Sequence, residues 1–299
     1  MTVLVTGGSG FVGKALQITN PDWLYVSSKD CELTDRSACR EMFESVRPNA
    51  VIHLAGRVGG IIANSQHQAD FFYKNSLINL NVVHEAYRSG VPRLLAALST
   101  CAFPDVVQSY PFYEEDLFSG LPTEANMSYG YSKRALHMQC LSYRKEYGVN
   151  YSTFAPSNVY GPGSDFNPET SHFVSALVKK VWEAKKKDSI EFYGDGLALK
   201  QQLYVSDLCR ALPLLLEKHH TDEPIIVAPY ENLRINDMVL ALTNNCGKEI
   251  DSWFNGKFMG QRRKDGCNDK FMELFPDFEF TAFDDGVKET YDWYGENYG

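Results

Sequence analysis

The apolar positions of this chain fall into two kinds of run. Short, nearly unbroken ones recur at Thr2-Val3-Leu4-Val5, Trp23 to Val26, Ala50 to Leu54, Arg93 to Leu98 and Tyr151 to Pro156. A few consecutive apolar residues predict a strand covered on both faces, as in a parallel sheet. Between these runs, apolar residues return every three or four positions. Residues 36–46 form one such stretch. Asp70 to Ser89, with Phe71, Leu77, Ile78, Val82, Val83 and Ala86, form another. That period predicts amphipathic helices, and the 70–89 face is either core or a surface for a second copy. Residues 129–147, 171–184 and 207–218 continue the helical series, with Asp207 placed as an N-cap. Short strands are expected at 190–193 and 200–206, and the polar, Pro-containing stretch from Phe103 to Asn126 reads as a surface excursion. Strand and helix in alternation predict an α/β fold built on a doubly wound parallel sheet.

The first strand runs into Thr6-Gly7-Gly8-Ser9-Gly10-Phe11-Val12-Gly13, followed by a helical stretch from Lys14 to Ile18. Strand, glycine loop and helix in that order make the dinucleotide-binding (Rossmann) fingerprint. Gly7 permits the tight turn, Gly10 lets backbone approach a pyrophosphate, and Gly13 lets the helix sit close to the strand. Open N–H groups at the helix start then face the phosphates. The second strand ends Ser27-Ser28-Lys29, where an NAD-selective site carries a carboxylate for the ribose 2′-hydroxyl. Two hydroxyls and a cation favour a 2′-phosphate and hence NADP(H). Asp30, directly after them, opposes it. Asp35 is either an N-cap for 36–46 or a contact near adenine. His53 reads as a strand residue, Leu54-Ala55-Gly56 as small backbone beside a cofactor, and Arg57 to Ile62 as a mobile loop at the same edge. We assign residues 1–162 and 196–220 to the Rossmann domain. Residues 163–195 and 221–299 are assigned to a smaller mixed α/β substrate-binding lobe.

Composition narrows the partners. The formal net charge of −9 over 299 residues argues against nucleic acid and against anionic lipid surfaces. No run of about 18 apolar residues offers a membrane span. The first residues are too short an apolar stretch for a signal peptide and lack a basic flank. Seven cysteines at scattered positions, with no CxxC pair, suit free thiols in a reducing compartment and give no metal site. The expected location is cytoplasmic.

Candidate chemistry gathers where the fourth strand ends, at Ala96-Ala97-Leu98-Ser99-Thr100-Cys101. Ligands of open parallel sheets sit at the carboxyl ends of strands. If extended geometry persists, Ser99 and Cys101 face one side. The alternative is that Ser99 caps a turn and Cys101 fills a small space. Tyr129-Gly130-Tyr131-Ser132-Lys133 puts a phenol and an ammonium one helical turn apart. A nearby cation lowers a tyrosine pKa and makes the phenol a usable acid or base. Ser157 to Pro162 form a turn expected against a nicotinamide. His172 is either a helix cap or a functional group. Arg262-Arg263-Lys264 is either a solvated face or a phosphate contact.

Together these residues resemble the extended short-chain dehydrogenase/reductase family. The carriers are Gly7-x-x-Gly10-x-x-Gly13, Ser99, Tyr129-x-x-x-Lys133 and Pro156-Ser157-Asn158-Val159-Tyr160-Gly161-Pro162. Within it, Val58-Gly59-Gly60-Ile61-x-Ala63-Asn64, Ala69-Asp70-Phe71, Ser99-x-Cys101-x-x-Pro104 and Ser171-His172-Phe173-Val174-x-Ala176-Leu177 resemble the epimerase–reductases acting on GDP-4-keto-6-deoxy-D-mannose. The similarity spans residues 3 to about 210 and thins beyond 220.

The resemblance implies NADPH-dependent 3,5-epimerisation and 4-reduction. Tyr129 would protonate the C4 oxygen, Ser99 would hydrogen-bond it, and Lys133 would hold the nicotinamide ribose and lower the tyrosine pKa. Cys101 and His172 would be the base and acid pair of the epimerisation. It implies a cofactor cradle of Gly7, Gly8, Ser9, Gly10, Phe11, Val12, Gly13, Ser27, Ser28, Lys29, Leu54, Ala55, Gly56, Leu98, Lys133, Pro156, Asn158, Val159 and His172. For the GDP-sugar it implies Ser99, Cys101, Asn158, Lys180, Tyr193, Lys200 and Arg263, with no metal. The chain departs from the family in carrying Lys200 where Arg is common, Tyr193 where Trp is common, and Ser27-Ser28-Lys29 where Arg-x-Arg is common. Lysine lacks the bidentate fork that grips phosphate. Helices 70–89 and 129–147 match the family's four-helix dimer interface, which implies a homodimer. Rival readings are a related sugar-nucleotide epimerase, dehydratase or 4-reductase, and a non-catalytic dinucleotide sensor.

Overall fold

The structure, a computed structural model, describes residues 1–168, 170–185, 188–257 and 261–299. Its frame is a six-stranded parallel sheet. The chain enters it through β1 (Val3–Thr6), α1 (Phe11–Thr19), β2 (Leu24–Val26), α2 (Arg36–Val46) and β3 (Ala50–His53). It continues through α3 (Ile61–Gln66), α4 (Gln68–Arg88), β4 (Arg93–Ala97), α5 (Met127–Tyr147) and β5 (Asn150–Pro156). The strands are short, and all but the edge strand β2 are largely buried, so alternate side chains serve opposite faces. Leu4, Val51, Leu94 and Ala96 pack on one side with Val82 and Leu136 of α4 and α5. Val3, Val5, Ile52 and Leu95 pack on the other.

The rest of the chain forms β6 (Asn158–Tyr160), α6 (Phe173–Glu183), β7 (Ser189–Phe192), β8 (Leu199–Lys200), β9 (Gln202–Tyr204) and α7 (Val205–Lys218). It closes with β10 (Ile225–Val227), β11 (Leu233–Arg234), α8 (Ile235–Asn245), β12 (Asp251–Phe254), β13 (Arg263–Lys264), α9 (Asp269–Leu274) and α10 (Phe283–Tyr298). The large sheet runs β10-β5-β4-β3-β1-β2. Its order reverses between β1 and β3, and ligands of such sheets bind at that switch. The lobe has its own core, in which Val174, Leu177 and Val178 of α6 meet Met238, Val239 and Leu242 of α8 and Val287 of α10.

Five expectations are corrected. The Rossmann domain extends past residue 220, because Ile225-Ile226-Val227 pairs in parallel with β5 as a sixth strand. Conversely, Leu199-Lys200 lies in the three-stranded lobe sheet β11-β8-β13. Residues 103–126 are no surface excursion. Phe103 and Phe112 are buried and stacked with centroids 4.5 Å apart, and Leu117 joins the same core. The Arg57–Ile62 loop is anchored, since Gly60 N–H donates to the Thr170 carbonyl at 3.1 Å and its far end is the start of α3. Asp207 is not the cap of α7 but lies in its first turn. Its buried carboxylate accepts from Thr281 N (2.8 Å), Thr281 Oγ1 (2.8 Å) and Arg210 (2.6 Å).

That carboxylate ties the segment leading to α10 onto the Rossmann domain. Asp207→Ala leaves Thr281 N–H and hydroxyl without their acceptor. The expected cost is about 2–4 kcal/mol, measured as a lower urea midpoint in equilibrium unfolding.

Candidate active site

The site lies at the carboxyl edge of the large sheet. At Gly7 the backbone takes φ +81°, a left-handed conformation that favours glycine, and an added Cβ would lie 2.8 Å from Ala55 N. A Cβ at Gly13 would lie 2.3 Å from the Gly7 carbonyl oxygen, so the close seat of α1 on the loop requires glycine there too. No side chain caps α1. Its first N–H groups are therefore left for an external acceptor, which is what a pyrophosphate supplies. Ser9 and Gly10 are exposed at this point, with Phe11 and Val12 half-buried behind them and Gly8 against Tyr25. The residues present fit a dinucleotide.

The ribose corner differs from the expectation. Asp30 accepts from Ser27 N at 2.8 Å and from Ser27 Oγ at 2.6 Å. Those two bonds hold its carboxyl below the usual range. The Ser27 hydroxyl is thus engaged by a carboxylate, leaving Ser28 and Lys29 exposed beside it.

Along the next strands the small residues pack closely against their neighbours. Ala55 N approaches Thr6 Oγ1 at 3.4 Å, Gly56 lies against Asn75 and Lys133, and Leu98 N donates to Phe154 O at 2.7 Å. Under them runs a buried network. His53 Nδ1 meets Thr6 Oγ1 at 2.7 Å and Nε2 meets Asn79 Oδ1 at 3.1 Å, while Asn79 Nδ2 donates to Ser132 O. Because Asn79 donates through its nitrogen, its oxygen accepts from His53 Nε2–H, and the Thr6 hydroxyl donates to Nδ1. Burial brings His53 down to about 3 and keeps it neutral. It is a structural residue, as its strand position suggested. Lys133, one residue after Ser132, is buried, donates to the Ala97 carbonyl at 2.8 Å and is brought down to about 8 by desolvation.

The reacting edge is built from five elements. Ser99 ends β4 because its Oγ accepts the Cys101 N–H at 3.1 Å, which turns residues 100–102 into a 3-10 turn. Extended geometry does not persist, and a hydroxyl-capped turn replaces it. Ser99 and Cys101 nevertheless both act on the buried Tyr129 phenol, Ser99 lowering its pKa and Cys101 raising it. Burial pushes the Tyr129 pKa up, and Cys101 adds to the effect. Lys133 Nζ lies 5.8 Å from the ring centroid and donates to the Ala97 carbonyl, and desolvation of the phenol prevails in its net shift. A phenol held protonated is a proton donor.

His172 begins α6, and its side chain makes no capping bond. It stands exposed in the cleft. Desolvation by the surrounding walls lowers it first, Lys264 next, against Asp165. Its imidazolium is correspondingly the stronger acid. Asn158 Nδ2 reaches Gln201 O at 3.4 Å where β6 pairs β9, with Pro156 and Val159 flanking it.

The lysines divide. Lys180 donates to Glu191 O at 3.1 Å and lies over the rings of Phe192 and exposed Tyr193. Lys200 donates to Gln261 O at 2.6 Å and is brought down to about 8 by burial and by Lys264. Arg263, singled out in the basic cluster, turns instead onto Asp265 with two bonds (2.7 and 2.9 Å) and onto the Tyr110 ring. Its neighbour Lys264 enters the site and donates to Cys101 Sγ at 2.9 Å. Sequence reasoning missed Lys264. The cluster was visible, but the choice among its three cations depends on β13 pairing β8 in parallel with Lys264 opposite Lys200.

Deep burial of the Lys133 ammonium disfavours its charged form in the native state alone. The unfolded chain then binds more protons between about pH 8 and the normal lysine range near 10.4, so this group opposes folding most at pH 7 and least near pH 10. Lys133→Met is expected to stabilise the protein by roughly 2–3 kcal/mol more at pH 7 than at pH 10, read from paired urea melts of parent and variant.

Residues 3–228 match the model of the NAD dependent epimerase/dehydratase family. The chain is 33% identical to a probable GDP-L-fucose synthase of Drosophila melanogaster, over 99% of this chain and 98% of that one. It is 34% identical to the GDP-L-fucose synthase of Dictyostelium discoideum, over 99% and 96%. The crystal structure of a GDP-L-fucose synthetase from Naegleria fowleri bound to NADP superposes with a TM-score of 0.90 at 33% identity, over 99% and 93%. With its glycine cradle, its Ser99, Tyr129 and Lys133 at one sheet edge and these full-length relatives, the chain belongs to the NAD dependent epimerase/dehydratase family.

Proposed function

We propose that this chain inverts C3 and C5 of GDP-4-keto-6-deoxy-D-mannose and reduces C4 to give GDP-L-fucose, with NADPH as reductant. The observation that carries this reading is the meeting of two sets of groups at the end of β4. Ser99 and Tyr129 form one set, and Cys101, facing Lys264 with His172 in the same field, forms the other. The names of the relatives support the same substrate. Gly7 to Gly13, Lys133 and the backbone at 54–56 and 98 would hold the dinucleotide, which when bound supplies the hydride for C4.

Protons on the carbons beside a ketone are acidified, and inversion needs one removed from one face and returned to the other. Cys101 takes the proton, and His172 returns one. Ser99 and Tyr129 hold the developing C4 oxyanion throughout. When C4 is reduced, Tyr129, kept protonated by burial, gives its proton to that oxygen. Lys200, Lys180 and Tyr193 would meet the diphosphate and base. NADP over NAD accords with exposed Lys29 and Ser28 and with the NADP-bound Naegleria fowleri relative. Homodimerisation through α4 and α5 accords with Phe72, Tyr73 and Leu80 on one helix and Tyr131 and Met138 on the other, all exposed. A cytoplasmic location accords with seven free thiols, and among the described residues no helix is long and apolar enough to cross a membrane.

Incubation with the 4-keto sugar nucleotide and NADPH in deuterated water is expected to oxidise NADPH and place deuterium at C3 and C5. Reduction without deuterium there would leave a plain 4-reductase, and no turnover would leave a dinucleotide sensor. Cys101→Ser should suppress deuterium uptake while NADPH binding holds. The Asp30 carboxylate opposes a 2′-phosphate, so the ratio of kcat/KM for NADPH over NADH is expected to be modest and to rise in Asp30→Asn.

A further inference from the structure

Cys101 is surrounded from every side by groups that can be named. Its own turn supplies Ser99, α5 the neutral Tyr129 phenol, and residue 126 an amide 3.7 Å from Sγ. Strand β13 supplies Lys264 at 2.9 Å, and β8 supplies Lys200. Two carboxylates share this field and both are engaged elsewhere. Asp265 takes both Arg263 bonds, and Asp105 accepts from the Thr123 hydroxyl at 2.9 Å.

The strand that presents Lys264 is fixed from several directions. Phe112 N donates to Asp265 O at 3.0 Å, and Cys267 N donates to Phe112 O at 2.7 Å. Gly266 N donates to Gln201 Oε1 at 2.9 Å, and Gln261 Nε2 donates to Asp105 O at 3.0 Å. The 103–112 segment, which follows Cys101 closely and is buried at Phe103 and Phe112, thus clamps the same strand whose lysine touches the thiol. Sulfur and nitrogen are held by one rigid unit.

We propose that Lys264 is a positioning residue that holds the Cys101 sulfur as a thiolate and thereby makes it the base of the epimerisation. The proposal rests on the function proposed above. Burial alone would raise the thiol, but the Lys264 charge and hydrogen bond, with Ser99 and Lys200, reverse it and leave the thiol below its ordinary value. The thiolate removes the proton from a carbon next to the ketone. The proton ends on sulfur, the C–H electron pair becomes the enolate double bond, and the negative charge passes to the C4 oxygen beside Ser99 and Tyr129. Lys200 adds positive field at the same place but donates elsewhere, to Gln261.

The test is the pH dependence of Cys101 alkylation by iodoacetamide, followed on the Cys101 peptide by mass spectrometry. In the parent protein the midpoint is expected below the free-thiol value of about 8.5. Lys264→Met is expected to raise it and to slow alkylation at pH 7 by about tenfold, while Lys264→Arg, which keeps the charge, restores the low midpoint. A merely structural lysine would leave the midpoint where it was. An unshifted midpoint in Lys264→Met overturns the proposal. So does a parent midpoint at or above the free-thiol value, and that measurement needs no variant to fold. No sugar nucleotide is present, so either failure leaves the deuterium result standing. A low, Lys264-dependent midpoint without deuterium uptake supports the thiolate and overturns the function instead.

Discussion

The Ser99 hydroxyl accepting the Cys101 N–H is the contact on which the site depends. A strand that continued would send successive side chains to opposite faces and bury the next residues against a neighbouring layer. β4 ends at Ala97, and the hydrogen bond two residues on curls the chain over the sheet edge. Ser99 and Cys101 thereby share one side with Tyr129, and the following segment is directed down into the core, where Phe103 and Phe112 stack. Arg134, buried on α5, donates to the Ala102 carbonyl at 2.7 Å and locks the turn against that helix.

Desolvation is the second constraint, and it acts on each reacting group differently. The same low dielectric raises Tyr129 and lowers Lys133 and Lys200. Cys101 alone is moved against the trend of burial, because a cation sits on it. Groups with different charge preferences are thus held within one small volume without neutralising each other. A protonated phenol, an electron-rich sulfur and an imidazole made more acidic by its surroundings are the states that inversion followed by reduction requires.

The two lobes meet at the site. The large sheet supplies the turn and the phenol. The small sheet β11-β8-β13 supplies Lys200 and Lys264. Gln201, buried between β8 and β9, holds them in register by accepting from Gly266 N and donating to Pro229 O at 2.9 Å. Asp207 secures the other side of the junction through Thr281.

Local patterns in the chain were enough to reveal the parallel sheet, the glycine loop, the helix carrying Tyr129 and Lys133, and the exact span of the 36–46 helix. Each depends on periodicity or on residues within one turn of each other, which sequence spacing reports directly. Long-range partners were out of its reach. Ile225-Ile226-Val227 reads as any short apolar run until β5 offers an open edge. Asp207 has the look of a cap until Thr281, far along the chain, takes its oxygens. Arg263 was singled out over its neighbour Lys264, and only the pairing of β13 with β8 turns the first toward Asp265 and the second toward sulfur. The Tyr129 pKa followed the same rule. Spacing gave the lysine, while the direction of its ammonium and the depth of burial came from packing alone.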